Sequence, residues 1–391
     1  MLRIFLKKGR EAPVLRGHPW IFSGALGEIQ GDSSGAEIAD VFDWERQWIA
    51  RGLFSPHSQI RVRVLTWRKE EIDGDFFFQR LSRALSIRNR MLSRTTDAYR
   101  LVNGEGDFLP GLIVDRYGDF LVCQFFTAGM DRLKPLIVDS LSRLLSVKGI
   151  FERSEGRARS EEGIQPSLGV LAGEPPPELI TVLENGFKFL VDVRRGQKTG
   201  FFLDQRDNRA FLSTVAKGKK ILNCFSYSGA FSVYSLAGEA IEVISFDSSR
   251  SALELAERNL ALNGVETARS ELIKGDAFAY LKECTALFDI IVLDPPSLAH
   301  KRGDVDAATG GYKFLNLHAL RHLTSGGLLL TFSCSQHLST DLFQKVVFGA
   351  AVDAGRKVSI LRRLGQPLDH PVSLLHPEGE YLKGLVLTVL D

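Results

Sequence analysis

The sequence predicts an α/β protein with a doubly wound parallel sheet in its C-terminal half and a small β-barrel at its start. From about Gly218 onward, strand-like, turn-like and helix-like stretches alternate, the rhythm of a parallel sheet. All four tryptophans (Trp20, Trp44, Trp48, Trp67) fall within the first 67 residues and none of the seven tyrosines does, a composition shift that marks a separate domain. At 391 residues the chain exceeds the roughly 100–200 residues of a single domain.

The barrel rests on short β-like segments, Glu37–Phe42, Trp48–Phe54 and Ile60–Trp67, separated by Gly, Pro and Asp clusters. His18 and His57 fall in this region, where turn and folding roles outweigh catalysis. From Asp75 to about Arg100 the pattern is helical. On a helical wheel Arg80, Arg83, Arg90 and Arg94 fall within an arc of about 80°. Phe76 to Arg100 holds six arginines against one acid, Asp97, so the stripe is either a solvated face or a phosphate-facing surface. Strands are expected at Leu112–Val114 and Phe120–Phe126, a helix near Leu133–Leu145, a long polar loop over Ser154–Glu178 and a hairpin over Glu184–Val193. The later strands are Lys220–Phe225, Glu242–Phe246, Glu271–Lys274, Phe288–Leu293 and Leu328–Phe332. Ser249–Leu262 reads as a helix capped by Ser248 or Ser249, with Gly264 just past its end. Two final strands, Lys357–Leu361 and Leu382–Leu390, flank a loop rich in Pro and Gly.

A net charge of +2 is no sign of a nucleic-acid binder, so local charge must carry that argument. Four scattered cysteines, with no CxxC pair, suggest reduced thiols, no disulfide framework and no structural metal. The apolar stretch at the start is too short for a signal peptide, and no run approaches the roughly 20 residues of a spanning helix. A cytoplasmic protein without membrane partners is expected.

The first turn of the sheet, Asn223-Cys224-Phe225-Ser226-Tyr227-Ser228-Gly229, lacks the GxGxxG that lets backbone approach a pyrophosphate. A phosphate-free nucleoside such as S-adenosylmethionine suits one glycine and a compact polar turn. Carboxylates end three successive strands: Asp247 for ribose hydroxyls, Asp276 for an adenine amine, and Asp294. Each is equally well read as a helix cap; three together favour a cofactor. Thr199 to Arg206 either folds over the methionine end, Asp204 meeting its ammonium and Arg206 its carboxylate, or starts a helix leading to Arg209. The expected cofactor site thus draws on Thr199, Phe202, Asp204 and Arg206, on Phe225, Ser226 and Gly229, and on Asp247, Ser248, Asp276, Ala277, Asp294 and Pro295.

The chain resembles the bacterial large-subunit ribosomal RNA cytosine-C5 methyltransferases that carry an N-terminal PUA domain. The resemblance rests on His18–Gly24, Pro56–Arg63, Gly106–Leu112, Thr199–Arg209, Asn223–Phe231, Asp294–Ser297, Ser333–Ser335 and Gly379–Gly384. It spans essentially the full length. It implies a PUA barrel over residues 1–72, a central α+β, RNA-contacting domain over 73–185 and a class I Rossmann-like methyltransferase domain over 186–391. It further implies S-adenosylmethionine as cofactor, 23S ribosomal RNA as substrate and Cys334 as nucleophile, with a homodimer open.

The chemistry suits these residues. Cytosine C5 is a weak nucleophile, and a thiolate adding to C6 makes it an enamine able to attack a sulfonium methyl. Cys334, between Ser333 and Ser335 at a strand end, is the expected nucleophile; Cys123, Cys224 and Cys284 read as packing residues. Asp294 would assist at N3 and the exocyclic amine, with Pro295 and Pro296 fixing its turn. The target base must be single-stranded or flipped, and Tyr312 is expected to stack on it. The rivals are base-nitrogen methylation through the Asp-Pro-Pro turn, which needs no thiol, and a non-catalytic RNA-binding protein; an NAD enzyme is disfavoured by the missing phosphate loop.

Overall fold

The computed structural model describes residues 2–35, 37–265, 267–299 and 301–391. These form two compact units: residues 2–183 with 191–203 and 368–379, and residues 184–190 with 204–367 and 380–391.

The first unit opens with β1 (Leu2–Leu6), α1 (Ala12–Leu15), β2 (Trp20–Phe22), β3 (Leu26–Gln30), β4 (Glu37–Phe42), β5 (Trp48–Phe54) and β6 (Ile60–Thr66). They pair in the order β2-β6-β5-β4-β1-β3. Alternating residues such as Val62 and Val64 turn inward onto Ile4, Val41 and Ala50, as the two-residue side-chain period of a strand requires. A second sheet follows. Its elements are α2 (Gly74–Met91), β7 (Ala98–Asn103), β8 (Leu112–Tyr117), β9 (Phe120–Phe125), α3 (Ala128–Arg132), α4 (Lys134–Leu144), β10 (Gly149–Ser154), α5 (Arg157–Glu161) and β11 (Ser167–Gly173). The order is β11-β10-β9-β8-β7. Phe76, Phe77 and Leu81 of α2 and Ile137 and Leu141 of α4 bury against Leu101, Val114 and Leu121 of this sheet.

Two expectations are corrected here. The helix that begins at residue 74 ends at Met91, not near Arg100: Leu92 is extended and Ala98–Asn103 is a strand paired with β8. The stretch Ser154–Glu178 is not one long loop, since it holds α5 and β11. The strand β11 pairs only with β10, at the sheet edge, where a strand needs no apolar run on both faces. Arg159 pins α5 through bonds to the carbonyls of Phe125 and Gln165 and to Asp131.

A hairpin of β12 (Ile180–Glu184) and β13 (Phe187–Val191) precedes the elements of the second unit. These are α6 (Arg206–Val215), β14 (Lys220–Cys224), α7 (Ala230–Ala237), β15 (Glu242–Asp247), α8 (Arg250–Leu262), β16 (Ser270–Lys274), α9 (Ala277–Glu283), β17 (Phe288–Leu293), α10 (Val305–Arg321), β18 (Leu323–Ser333), α11 (Thr340–Ala354), β19 (Val358–Leu364) and β20 (Lys383–Val389). The seven strands run β16-β15-β14-β17-β18-β20-β19. The first five are parallel, and β20 is antiparallel to both of its neighbours. Ser249 caps α8 by accepting from Ala252 N–H at 3.3 Å. Strand order reverses between β14 and β17, so the crevice beyond their carboxyl ends is where such sheets bind ligands. Among the described residues, no helix is long and apolar enough to cross a membrane.

Candidate functional site

The turn after β14 is tightly wound. Phe225 and Tyr227 hold φ of 62° and 45°, the left-handed region that side chains with a Cβ rarely enter. Gly229 has φ of 74°, and a Cβ there would stand 2.7 Å from Ala256 Cβ on α8, so only glycine fits. Tyr227 N–H donates to Asp247 Oδ2 at 2.8 Å and Ser249 N–H to Asp247 Oδ1 at 2.9 Å. The Asp247 carboxylate is thereby fixed at the crevice lip beside exposed Ser248. Ser226 Oγ and Ser228 Oγ are buried with no hydrogen-bond partner among the described residues. Buried hydroxyls of this kind call for a polar ligand, and the donor-and-acceptor edge of a nucleoside fits them. Asp276 is exposed and caps α9, its Oδ1 accepting from Ala279 N–H at 3.0 Å; Ala277 beside it is buried.

Asp294 and Cys334 follow neighbouring parallel strands, β17 and β18, with Leu293 in register with Thr331. Pro295 is buried and Pro296 exposed. Cys334 is half-buried, whereas Cys123 and Cys224 are fully buried, and burial pushes both of their thiols far above the ordinary range. Ser335, next to Cys334, is a hub. Its Oγ lies 3.0 Å from both Ser297 Oγ and Tyr312 Oη and accepts from Ala299 N–H at 3.3 Å. Its carbonyl accepts from Lys383 Nζ at 2.7 Å. The loops after β17 and β18 are therefore tied together beside the thiol.

Tyr312 is corrected: it does not stack on a base. Its ring is 0% exposed, edge-on to Phe343, and its hydroxyl holds Ser335, with burial pushing its pKa up. Sequence reasoning missed Ser335 and Lys383 as site residues. The signals were the serines that flank Cys334 and the run Gly379-Glu380-Tyr381-Leu382-Lys383-Gly384, for neither of which spacing supplied a role.

In the first unit, Thr199 is buried and donates to Asp115 Oδ2 at 2.6 Å, with Tyr117 Oη at 2.8 Å; its hydroxyl serves the packing there. Phe202 lies under the Lys198 ammonium. In the second unit, Asp204 accepts from Tyr381 Oη at 2.7 Å and Arg206 is buried, its Nε 3.2 Å from Asp207. Arg209 forks onto Glu184 at 2.9 and 2.6 Å. This segment does begin a helix, α6.

The arginine stripe is broken up. Arg80 is corrected from a phosphate contact to a packing residue: it lies over the Phe76 ring and donates to Leu65 O at 3.2 Å, and burial lowers its pKa. Arg83 and Arg90 are exposed on α2. Arg94, also exposed, lies beyond the helix on a surface depression shared with Tyr99 and Arg116.

Comparison with known proteins adds the following. Residues 4–67 match a PUA-like domain family and residues 152–373 an S-adenosylmethionine-dependent methyltransferase family. The ribosomal RNA large subunit methyltransferase I of Tolumonas auensis is 45% identical over 99% of both chains. That of Aeromonas hydrophila is 46% identical over 98% of both. The structure of SMU.776, complexed with SAH, matches with a TM-score of 0.88 at 25% identity over 100% of both chains. S-adenosylmethionine is the cofactor. With relatives this similar over its whole length, the chain belongs to the ribosomal RNA large subunit methyltransferase I family, PUA-like at its start and an S-adenosylmethionine-dependent methyltransferase beyond it.

Proposed function

We propose that this enzyme methylates C5 of a cytosine in 23S ribosomal RNA through a transient bond between Cys334 and C6 of the base. The observation that carries the reading is a half-buried thiol at the end of β18, beside the strand that ends in Asp294. A base-nitrogen methyltransferase has no use for a thiol there. The large-subunit ribosomal RNA named for its relatives supports the substrate.

The cofactor supplies an electrophilic methyl group on a sulfonium. Asp247, Ser226 and Asp276 would hold its nucleoside, with Asp204 and Arg206 toward its amino-acid end. The Cys334 thiolate adds to C6 while Asp294 holds N3 and the exocyclic amine, so that electron density gathers at C5. Methyl transfer, loss of the C5 proton and elimination of the thiolate restore the aromatic ring. The base enters unpaired or flipped. Exposed Arg83, Arg90 and Arg94 supply phosphate contacts.

The test is covalent trapping. In transcripts carrying 5-fluorocytosine, C5 has no proton to lose after methyl transfer, so the thiolate cannot be eliminated; the adduct should persist on wild-type enzyme and vanish with Cys334→Ser. Undiminished methyl transfer by Cys334→Ser would refute the mechanism.

A further inference from the structure

We propose that Lys383 is the positioning cation of this site: its buried ammonium grips the Ser335 carbonyl and stabilises the adjacent Cys334 sulfur as a thiolate. The inference rests on the reading of Cys334 as nucleophile. Lys383 opens β20, antiparallel to β18 and opposite Ser333. It is only 4% exposed, and its Nζ donates to Ser335 O at 2.7 Å.

A lysine this buried is ordinarily paired with a carboxylate. Among the described residues Lys383 has no ion pair with one. A single carbonyl uses one of its three donors, and the register of β20 sets Lys383 across from Ser333, one residue before the thiol. Burial lowers its pKa, and the Cys334 and Glu380 charges act in the opposite sense. A thiolate is the anion this cation lacks, and a neighbouring lysine is a recognised way to ionise a cysteine.

The titratable groups around the pair are few. Tyr312 on α10 meets Ser335 through its hydroxyl, and its raised pKa keeps it neutral. Asp294 ends the adjacent strand, Glu380 precedes β20, and His337 lies exposed on the Cys334 loop. Of these, the Glu380 charge acts on the Lys383 ammonium itself. No step changes oxidation state: the thiolate adds to the base and leaves it as a thiolate, while the lysine keeps its protons.

The experiment is the pH profile of Cys334 alkylation by iodoacetamide in the full chain, read by peptide mass spectrometry so that half-buried Cys284 is scored separately. Wild-type Cys334 should react below the ordinary thiol range. Lys383→Met should move the profile to higher pH and slow alkylation at pH 7 by about tenfold. Lys383→Arg should retain most of the wild-type profile. S-adenosylmethionine binding checks that each variant folds. If Lys383→Met fails to fold, the wild-type and Lys383→Arg profiles decide. A wild-type Cys334 that titrates as an ordinary thiol overturns the proposal, as does a Lys383→Met profile that coincides with wild type. Failure of 5-fluorocytosine trapping alongside a depressed alkylation profile would instead overturn the nucleophile reading and leave the cation assigned.

Discussion

The central sheet and the end of β18 treat buried charge in opposite ways. Around the sheet, Arg88 of α2 and Arg100 of β7 each meet a counter-charge. Arg88 forks onto Asp107 at 2.5 and 2.7 Å and also holds the carbonyls of Arg100 and Asp369, and Arg100 forks onto Asp115 at 2.8 and 3.0 Å. Beside Cys334, a buried lysine donates to a carbonyl and, among the described residues, makes no ion pair with a carboxylate. Satisfied pairs lock a fold, because the interaction is complete without any ligand. On the reading proposed above, the charge that completes the lysine is the Cys334 thiolate.

The largest effect that would sharpen this contrast is on turnover. Cys334→Ser should lower methyl transfer by about 10³-fold or more while S-adenosylmethionine affinity, measured by calorimetry, stays within a few-fold of wild type. Equal loss of both would mean that Cys334 is structural and would erase the contrast. Next is Arg88→Met, which leaves the Asp107 carboxylate without its ion-pair partner. Denaturant unfolding of this chain should register about 3–5 kcal/mol of destabilisation, with the crevice chemistry spared wherever the protein remains folded.

Tyr312→Phe should have a smaller effect, removing one of the bonds that hold Ser335. About 0.5–1.5 kcal/mol of stability should be lost, together with part of kcat and no RNA affinity. Weakened RNA binding would instead revive the stacking role that burial of the ring opposes. The smallest effect is electrostatic. Arg83→Ala or Arg90→Ala should each reduce the slope of log affinity against log salt by about one if that residue meets a phosphate. Arg80→Ala should leave the slope unchanged and cost stability.

The sequence alone carried the strand–helix alternation of the second unit, because a parallel sheet buried on both faces demands long apolar runs such as Phe288–Leu293. It narrowed the α8 cap to Ser248 or Ser249 and marked the compact turn that ends in Gly229, since caps and tight turns are local requirements. It also carried the candidacy of Asp294 and Cys334, which polar residues at the ends of apolar strands betray. Only the tertiary structure decided which arginines are free. The stripe Arg80, Arg83, Arg90 and Arg94 looks uniform in one dimension, yet Arg80 packs on Phe76 and the helix stops before Arg94, while Arg88, off the stripe, meets Asp107, 19 residues away. It likewise turned Tyr312 inward and set Lys383 beside Cys334, 48 residues from the serine it holds. The physical reason is the same throughout: backbone preference is a local property, whereas the burial and partnership of a charge depend on residues that only folding brings near.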